Sequence, residues 1–199
     1  MYQVVGGIRS RTFRVLWMLE ELGLDYEHIP ASPRSDEARA LNPSGKVPVL
    51  VVDGTPVSDS TAILTYLADK HGALTHAPGT LDRARQDSLT QLLLDEFDAI
   101  LWTASRHSFI LPEELRVGEV KTSLKWEFER SQKTLVQRMG SGEFLMGDKM
   151  TIADIILTHC GNWAISAKFP VTEPKLEDYF ARMRQRPAYL RTRALDKAA

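Results

Sequence analysis

The sequence predicts two fold classes in succession: a small α/β domain over residues 1–75, then an all-α domain over residues 82–199. Three observations predict this. Short apolar runs alternate with helical patterns in the first part, strand signals stop near Leu81, and Gly, Pro and Thr collect in a linker over residues 72–80. The 43% apolar and 26% charged content is ordinary for a globular protein and excludes a disordered, collagen-like or coiled-coil chain.

In the first part, residues 2–5, 26–29 and 47–52 suit strands. Between the first two, Phe13, Leu16 and Trp17, together with Val15, Leu19 and Leu22, recur at helical spacing over residues 10–22, and Gly23 ends that helix. A strand, a helix and a strand in this order predict a parallel pair with a right-handed crossover. A looser segment with room for a short helix follows. Asp53-Gly54 is a turn pair for an antiparallel hairpin into Pro56 and Val57. A third helix over about residues 60–70 closes at Gly72. The order is βαβαββα, with helices covering a mixed four-stranded sheet.

In the second part Asp82 is placed to cap a long helix reaching about Arg106, with Leu89, Leu93, Phe97 and Leu101 at apolar spacing. Pro112 breaks it. A second long helix spans about residues 118–139, and Gly140-Ser141-Gly142 is a turn. Thr151-Ile152-Ala153-Asp154 opens a very apolar helix to about residue 167, at capping-box spacing with Asp in place of Glu. Pro174 begins a further helix that ends near Arg186-Pro187.

Charge and cysteine usage narrow the function classes. Lys+Arg 25 against Asp+Glu 26 gives net −1, so no bulk charge draws the chain to nucleic acid or an anionic membrane. The longest apolar run, residues 47–52, is far short of the ~20 residues that span a bilayer. Arg9, Arg11 and Arg14 interrupt any secretory leader. Cys160 stands alone, so no internal disulfide or CxxC pair forms. His28, His71, His76, His107 and His159 lack metal-ligand spacing, and no metal is expected. A reduced, cytoplasmic protein is the expectation.

Three stretches carry chemistry. In Asn42-Pro43-Ser44-Gly45-Lys46-Val47-Pro48-Val49-Leu50, a proline just inside a strand belongs at an edge or a bend, and a cis bond there aims the N–H and C=O of Val47 sideways, as an added strand of ligand requires. On this stretch alone, an ordinary edge proline is the simpler reading. Ser44-Gly45-Lys46 is not a phosphate loop, because Ala40 stands where that motif needs Gly. Asp59-Ser60-Thr61 meets a helix start, where free N–H groups attract a carboxylate while Asp59 holds an ammonium, a match for an α-amino acid; capping alone also explains it. Ser10-Arg11-Thr12 opens the first helix. A hydroxyl bond to a thiolate is worth ~1.5–3 kcal/mol and the helix dipole ~0.3–1, enough to bring a thiol from ~8.5 to roughly 6–7. Capping is again the alternative. Trp102, Arg106, His107 and Phe109 end the long helix and suit an apolar pocket, or, for Trp102, the core. Cys160 reads as a buried small hydrophobe.

These stretches resemble the glutathione S-transferase family over the whole chain. The carriers are the run from Ser10-Arg11-Thr12 to Leu22-Gly23-Leu24, then Asn42-Pro43-x-Gly45-Lys46-Val47-Pro48, then Asp59-Ser60-Thr61-Ala62-Ile63, and Thr151-Ile152-Ala153-Asp154. The resemblance implies a thioredoxin-like N-terminal domain followed by an all-helical C-terminal domain. It implies glutathione as co-substrate, with Val47 beside a cis Pro48 pairing the cysteinyl part, Asp59 and Ser60 the γ-glutamyl end, and Lys46 the glycine carboxylate. It implies a small apolar electrophile near Trp102, Arg106 and Phe109, and a homodimer that pairs the first domain of one subunit with the helical domain of the other. Ser10, then Thr12, is the implied thiolate stabiliser, since Tyr2 lies too early in its strand.

The chain departs from some branches. It has no cysteine near the first helix, which argues against glutaredoxin-like thiol transfer and dehydroascorbate reduction. It also lacks the Ser-Ser-Cys run of the maleylacetoacetate-isomerase branch. Conjugation of glutathione to an electrophile is the leading expectation; a non-catalytic glutathione or ligand binder and a glutathione-dependent peroxidase share every motif.

Overall fold

The computed structural model describes residues 1–198. Its first elements are β1 (Tyr2–Val5), α1 (Thr12–Leu22), β2 (Tyr26–Ile29), α2 (Asp36–Leu41), β3 (Val49–Val52), β4 (Thr55–Ser58) and α3 (Ser60–His71). The strands form one sheet in the order β2-β1-β3-β4, with β1 parallel to β2 and antiparallel to β3, and β4 antiparallel to β3. This is the thioredoxin-like βαβαββα arrangement. Alternation divides the sheet faces: Val5, Val49 and Val51 pack with Ile29, Ala31 and Leu41, while Val4 and Leu50, which pair across β1 and β3, are fully buried from the other side. Gly23 stops α1 in the left-handed conformation at φ 64°, and Leu24 N–H donates to Leu19 O across it.

Two boundaries differ from the sequence pattern. Helix α1 begins at Thr12 rather than Ser10, because residues 7–10 close a turn in which Ser10 N–H donates to Gly7 O. Strand β3 begins at Val49, so Val47 and Pro48 lie ahead of the ladder, and the Val47–Pro48 bond is cis.

The remaining elements are helical: α4 (Leu81–Leu93), α5 (Ala99–Ser105), α6 (Val120–Arg138), α7 (Ile152–Ser166), α8 (Pro174–Met183) and α9 (Pro187–Ala198). Thr80 caps α4 by accepting from Arg83 N–H, whereas Asp82, the expected cap, sits in the first turn and pairs with Arg85 at 2.9 Å. The expected single helix to Arg106 is α4 and α5 joined by a π-helical turn, Leu94–Asp98, with a second π turn at Arg106–Ile110. Phe97, Phe128 and Phe169 stack edge to face at 5.3 and 5.6 Å in this core. Among the described residues, no helix is long and apolar enough to cross a membrane.

The chain forms two compact units, Met1–Pro78 with Arg184–Ala199, and Gly79–Met183. The pattern over residues 174–187 reads as one final helix. The structure adds α9 after Pro187, and α9 packs on α1 of the first unit. Phe13, Trp17 and Tyr189 meet edge to face, with Tyr189 5.4 and 5.1 Å from the other two rings.

Candidate functional site

The turn before α1 holds two hydroxyls in series. Ser10 Oγ donates to Gly7 O at 2.7 Å. A hydroxyl has one proton, so in the 2.8 Å contact between Ser10 Oγ and Thr12 Oγ1 it is Thr12 that donates. Ser10 Oγ also accepts from Thr12 N–H at 3.1 Å. Thr12 is fully buried, while Ser10 is only partly covered. The exposed end of the chain of hydroxyls is therefore Ser10.

Gly6 ties this turn to Val47. It has φ 143°, and a Cβ built on it would overlap Thr12 Oγ1 and lie 2.9 Å from Val47 Cβ. Only a glycine lets the chain leaving β1 sit this close to Thr12 and Val47. That segment is shaped by Asn42, whose Oδ1 accepts from Ser44 N–H and Oγ–H and whose Nδ2 donates to Lys46 O at 2.9 Å. Gly45, at φ 64°, donates to Asn42 O, and its own carbonyl accepts from Arg34 N–H at 2.7 Å. Lys46 is exposed beside it. The Val47 N–H and C=O fall outside the β1–β3 ladder.

Asp59 is the N-cap of α3, at φ 74°. Its Oδ1 accepts from Thr61 N–H at 2.8 Å and Ala62 N–H at 3.1 Å, and its Oδ2 stands outside the cap. Ser60 is 3% exposed and accepts from Arg14 Nη1 at 3.4 Å. Arg14 is itself buried, so α1 brings a cation under the first turn of α3. A buried guanidinium, the positive end of a helix and a carboxylate oxygen outside the cap together suit a ligand end that carries both charges.

The structure thus brings Thr12, which carries Ser10, and Val47, which precedes Pro48, together at Gly6, and sets Ser60, next to Asp59, on Arg14. Trp102 lies on α5, Arg106 and Phe109 on the π turn after it, all in the second unit. Arg106 donates to Thr103 Oγ1 at 2.9 Å, and Phe109 is 66% exposed. Gly6, Arg14 and Arg9 adjoin these candidate residues, and the motifs did not single them out. Arg9 lines an open pocket of about 360 Å³ with Gly7, Ser10 and the segment 30–33. Its signal in the sequence was only that it directly precedes Ser10.

Comparison with known proteins decides the family. Residues 10–70 match the description "Glutathione S-transferase, N-terminal domain" and residues 112–192 match "Glutathione S-transferase, C-terminal domain". The chain belongs to the glutathione S-transferase family. Glutathione transferase GST 23 of Zea mays is 30% identical over 155 residues, which cover 75% of this chain and 66%, just under two thirds, of that protein. A probable maleylacetoacetate isomerase of Caenorhabditis elegans is 27% identical over 156 residues, covering 73% of this chain and 70% of that one. The solved sphingomonad glutathione S-transferase complexed with glutathione is 26% identical, with a TM-score of 0.84, over 99% of this chain and 100% of that one.

Proposed function

We propose that this member of the glutathione S-transferase family joins the glutathione thiolate to an apolar electrophilic carbon. The observation that carries the reading is the hydroxyl chain from Thr12 to Ser10, set beside the unpaired edge at Val47. The new carbon–sulfur bond forms as the carbon–leaving-group bond breaks. The leaving group departs with the electron pair, and the thiol proton has already gone to solvent.

Glutathione lies along Val47 and Pro48. Its γ-glutamyl end meets Asp59 Oδ2, Ser60 and the charge of Arg14, and its glycine carboxylate meets Lys46. Ser10 turns its proton from Gly7 O to the sulfur, exchanging a neutral hydrogen bond of ~0.5–1.5 kcal/mol for a charged one of ~1.5–3. Thr12 stays buried and donates to Ser10, so it polarises the hydroxyl and does not touch the sulfur. A lowered thiol pKa and proximity of the two reactants supply the rate. Trp102, Arg106 and Phe109 offer apolar surface to the electrophile. The family relationship further supports a cytoplasmic homodimer acting in detoxification.

The isomerase relative raises the question of that reaction, but Ser10-Arg11-Thr12 replaces the Ser-Ser-Cys run expected of that branch. Transfer is therefore preferred. The test is conjugation of glutathione to a chromogenic aryl halide. Ser10→Ala is expected to lower kcat/KM about 10- to 100-fold. Thr12→Ala costs less, and both raise the pKa read from thiolate absorbance of the bound tripeptide. If neither substitution slows turnover, this account of thiolate activation is wrong.

A further inference from the structure

We propose that the pocket beside Ser10 is an acceptor subsite for apolar anions, with Arg9 as the residue that selects a carboxylate on the electrophile. This rests on the transferase reading above and names its substrate class.

The pocket lies wholly within the first unit and holds about 360 Å³, room for one aromatic ring and its substituents. One wall is Gly7, Arg9 and Ser10; the other is the segment 30–33, with a proline at each end. Prolines fix that wall at little entropic cost, and neither wall contributes a carboxylate. Arg9 is the one charged side chain that lines the pocket, and Asp196 outside the lining pairs with it. The Arg9 side chain is 84% exposed, and among the described residues its only hydrogen bond is from Nε to Asp196 Oδ1, at 3.0 Å. Asp196 is only 20% exposed and stands on α9, which is fastened to α1. That contact uses Nε and leaves the two terminal amino groups, the pair that grips a carboxylate in bidentate fashion. Arg9 is therefore tethered at the rim by one nitrogen and open to an anion through the others. Ser10 lines the same pocket, so a ring held there is next to the hydroxyl that faces the sulfur. The transfer itself is unchanged: the carbon–sulfur bond forms, the carbon–chlorine bond breaks, and chloride leaves with the electron pair.

The experiment uses the full chain and two acceptors, a neutral chlorodinitrobenzene and a carboxylate-bearing chlorodinitrobenzoate. In Arg9→Gln, the kcat/KM ratio of acid to neutral acceptor is expected to fall about tenfold or more, the size of one charge-assisted hydrogen bond, with the loss in KM for the acid. Arg9→Lys retains part of the ratio, and added salt erodes it in the wild type. A ratio that stays within twofold overturns the proposal, as does a loss that appears in KM for glutathione instead. Calorimetry with unreactive nitrobenzoate reads the subsite without turnover. Binding that depends on Arg9, in a protein that conjugates neither acceptor, would sink the transferase reading and leave the subsite standing. No binding at millimolar concentration removes the subsite whatever the conjugation assay gives.

Discussion

Gly6 shows how much one missing side chain supports. Its φ of 143° is a region that L side chains rarely adopt, and the space a Cβ would need is already filled by Thr12 Oγ1 and Val47. Gly6→Ala is therefore expected to destabilise the fold by about 2 kcal/mol, through backbone strain and the displaced Thr12. It should also raise KM for glutathione, because Val47 moves with it. A thermal melt and a steady-state assay check both; an unchanged melt would mean that the turn relaxes freely. Asp59, Ser60 and Pro48 were legible as site candidates because caps and proline geometry are local properties of a few residues. Gly6, Arg9 and Arg14 were not. Arg14 acquires its meaning from Ser60, 46 positions away, and Arg9 from Asp196, 187 positions away. No window of sequence contains such pairs.

Helix α7 is anchored by the start that its sequence announces. Asp154 Oδ2 accepts from Thr151 N–H at 2.8 Å and from Thr151 Oγ–H, which closes the cap. What the spacing did not reveal is the other oxygen: Asp154 Oδ1 accepts from Leu145 N–H at 2.9 Å and from Tyr179 O–H at 2.7 Å. One buried carboxylate thus fixes the loop before α7 and the helix α8 after it. Asp154→Ala leaves several buried donors without an acceptor and removes the cap, a loss of about 3 kcal/mol or more. A melting temperature lower by about 10 °C is the expected reading, and a change within 2 °C would show that water replaces the carboxylate. Elements with a strong internal pattern, such as α1, α3 and α7, were readable with their ends shifted by no more than two residues. The break between α4 and α5 was not, because a π turn keeps the apolar positions of Leu93 and Phe97 on a plausible helical stripe. Thr80 displaced Asp82 as the cap for a simple reason: both are good capping types two residues apart, and backbone direction chooses between them.

The division of the whole molecule follows from α9, whose place no sequence pattern assigns, because its apolar stripe suits any surface of the right width. In the structure α9 covers α1. Trp17 is fully buried against Tyr189, and Arg186 grips Glu21 through Nε at 2.7 Å and Nη2 at 2.9 Å. Arg191 holds Glu20 in the same way, through its side chain and its carbonyl. Glu20 also accepts from Tyr26 O–H, and burial followed by that carboxylate keeps the phenol protonated well above its usual range. The first unit therefore depends on the last turns of the chain. Removing residues 184–199 exposes Phe13 and Trp17, at about 2 kcal/mol each, and loses two edge-to-face contacts of ~0.5–1.5 kcal/mol. With Glu21 left without its bidentate partner, the loss is on the order of 5 kcal/mol, comparable to the whole stability of many domains. A chain of residues 1–183 is thus expected to lose the fold of its first unit while the helical unit persists. Circular dichroism should show helix retained, with tryptophan emission shifted to the red as Trp17 meets water. Tyr189→Ala in the full chain should shift the same transition by a fraction of that amount. A truncated chain that melts within a few degrees of the full one would mean that α1 buries its aromatic face without α9, and that the C-terminal helix is an ornament on a unit already stable.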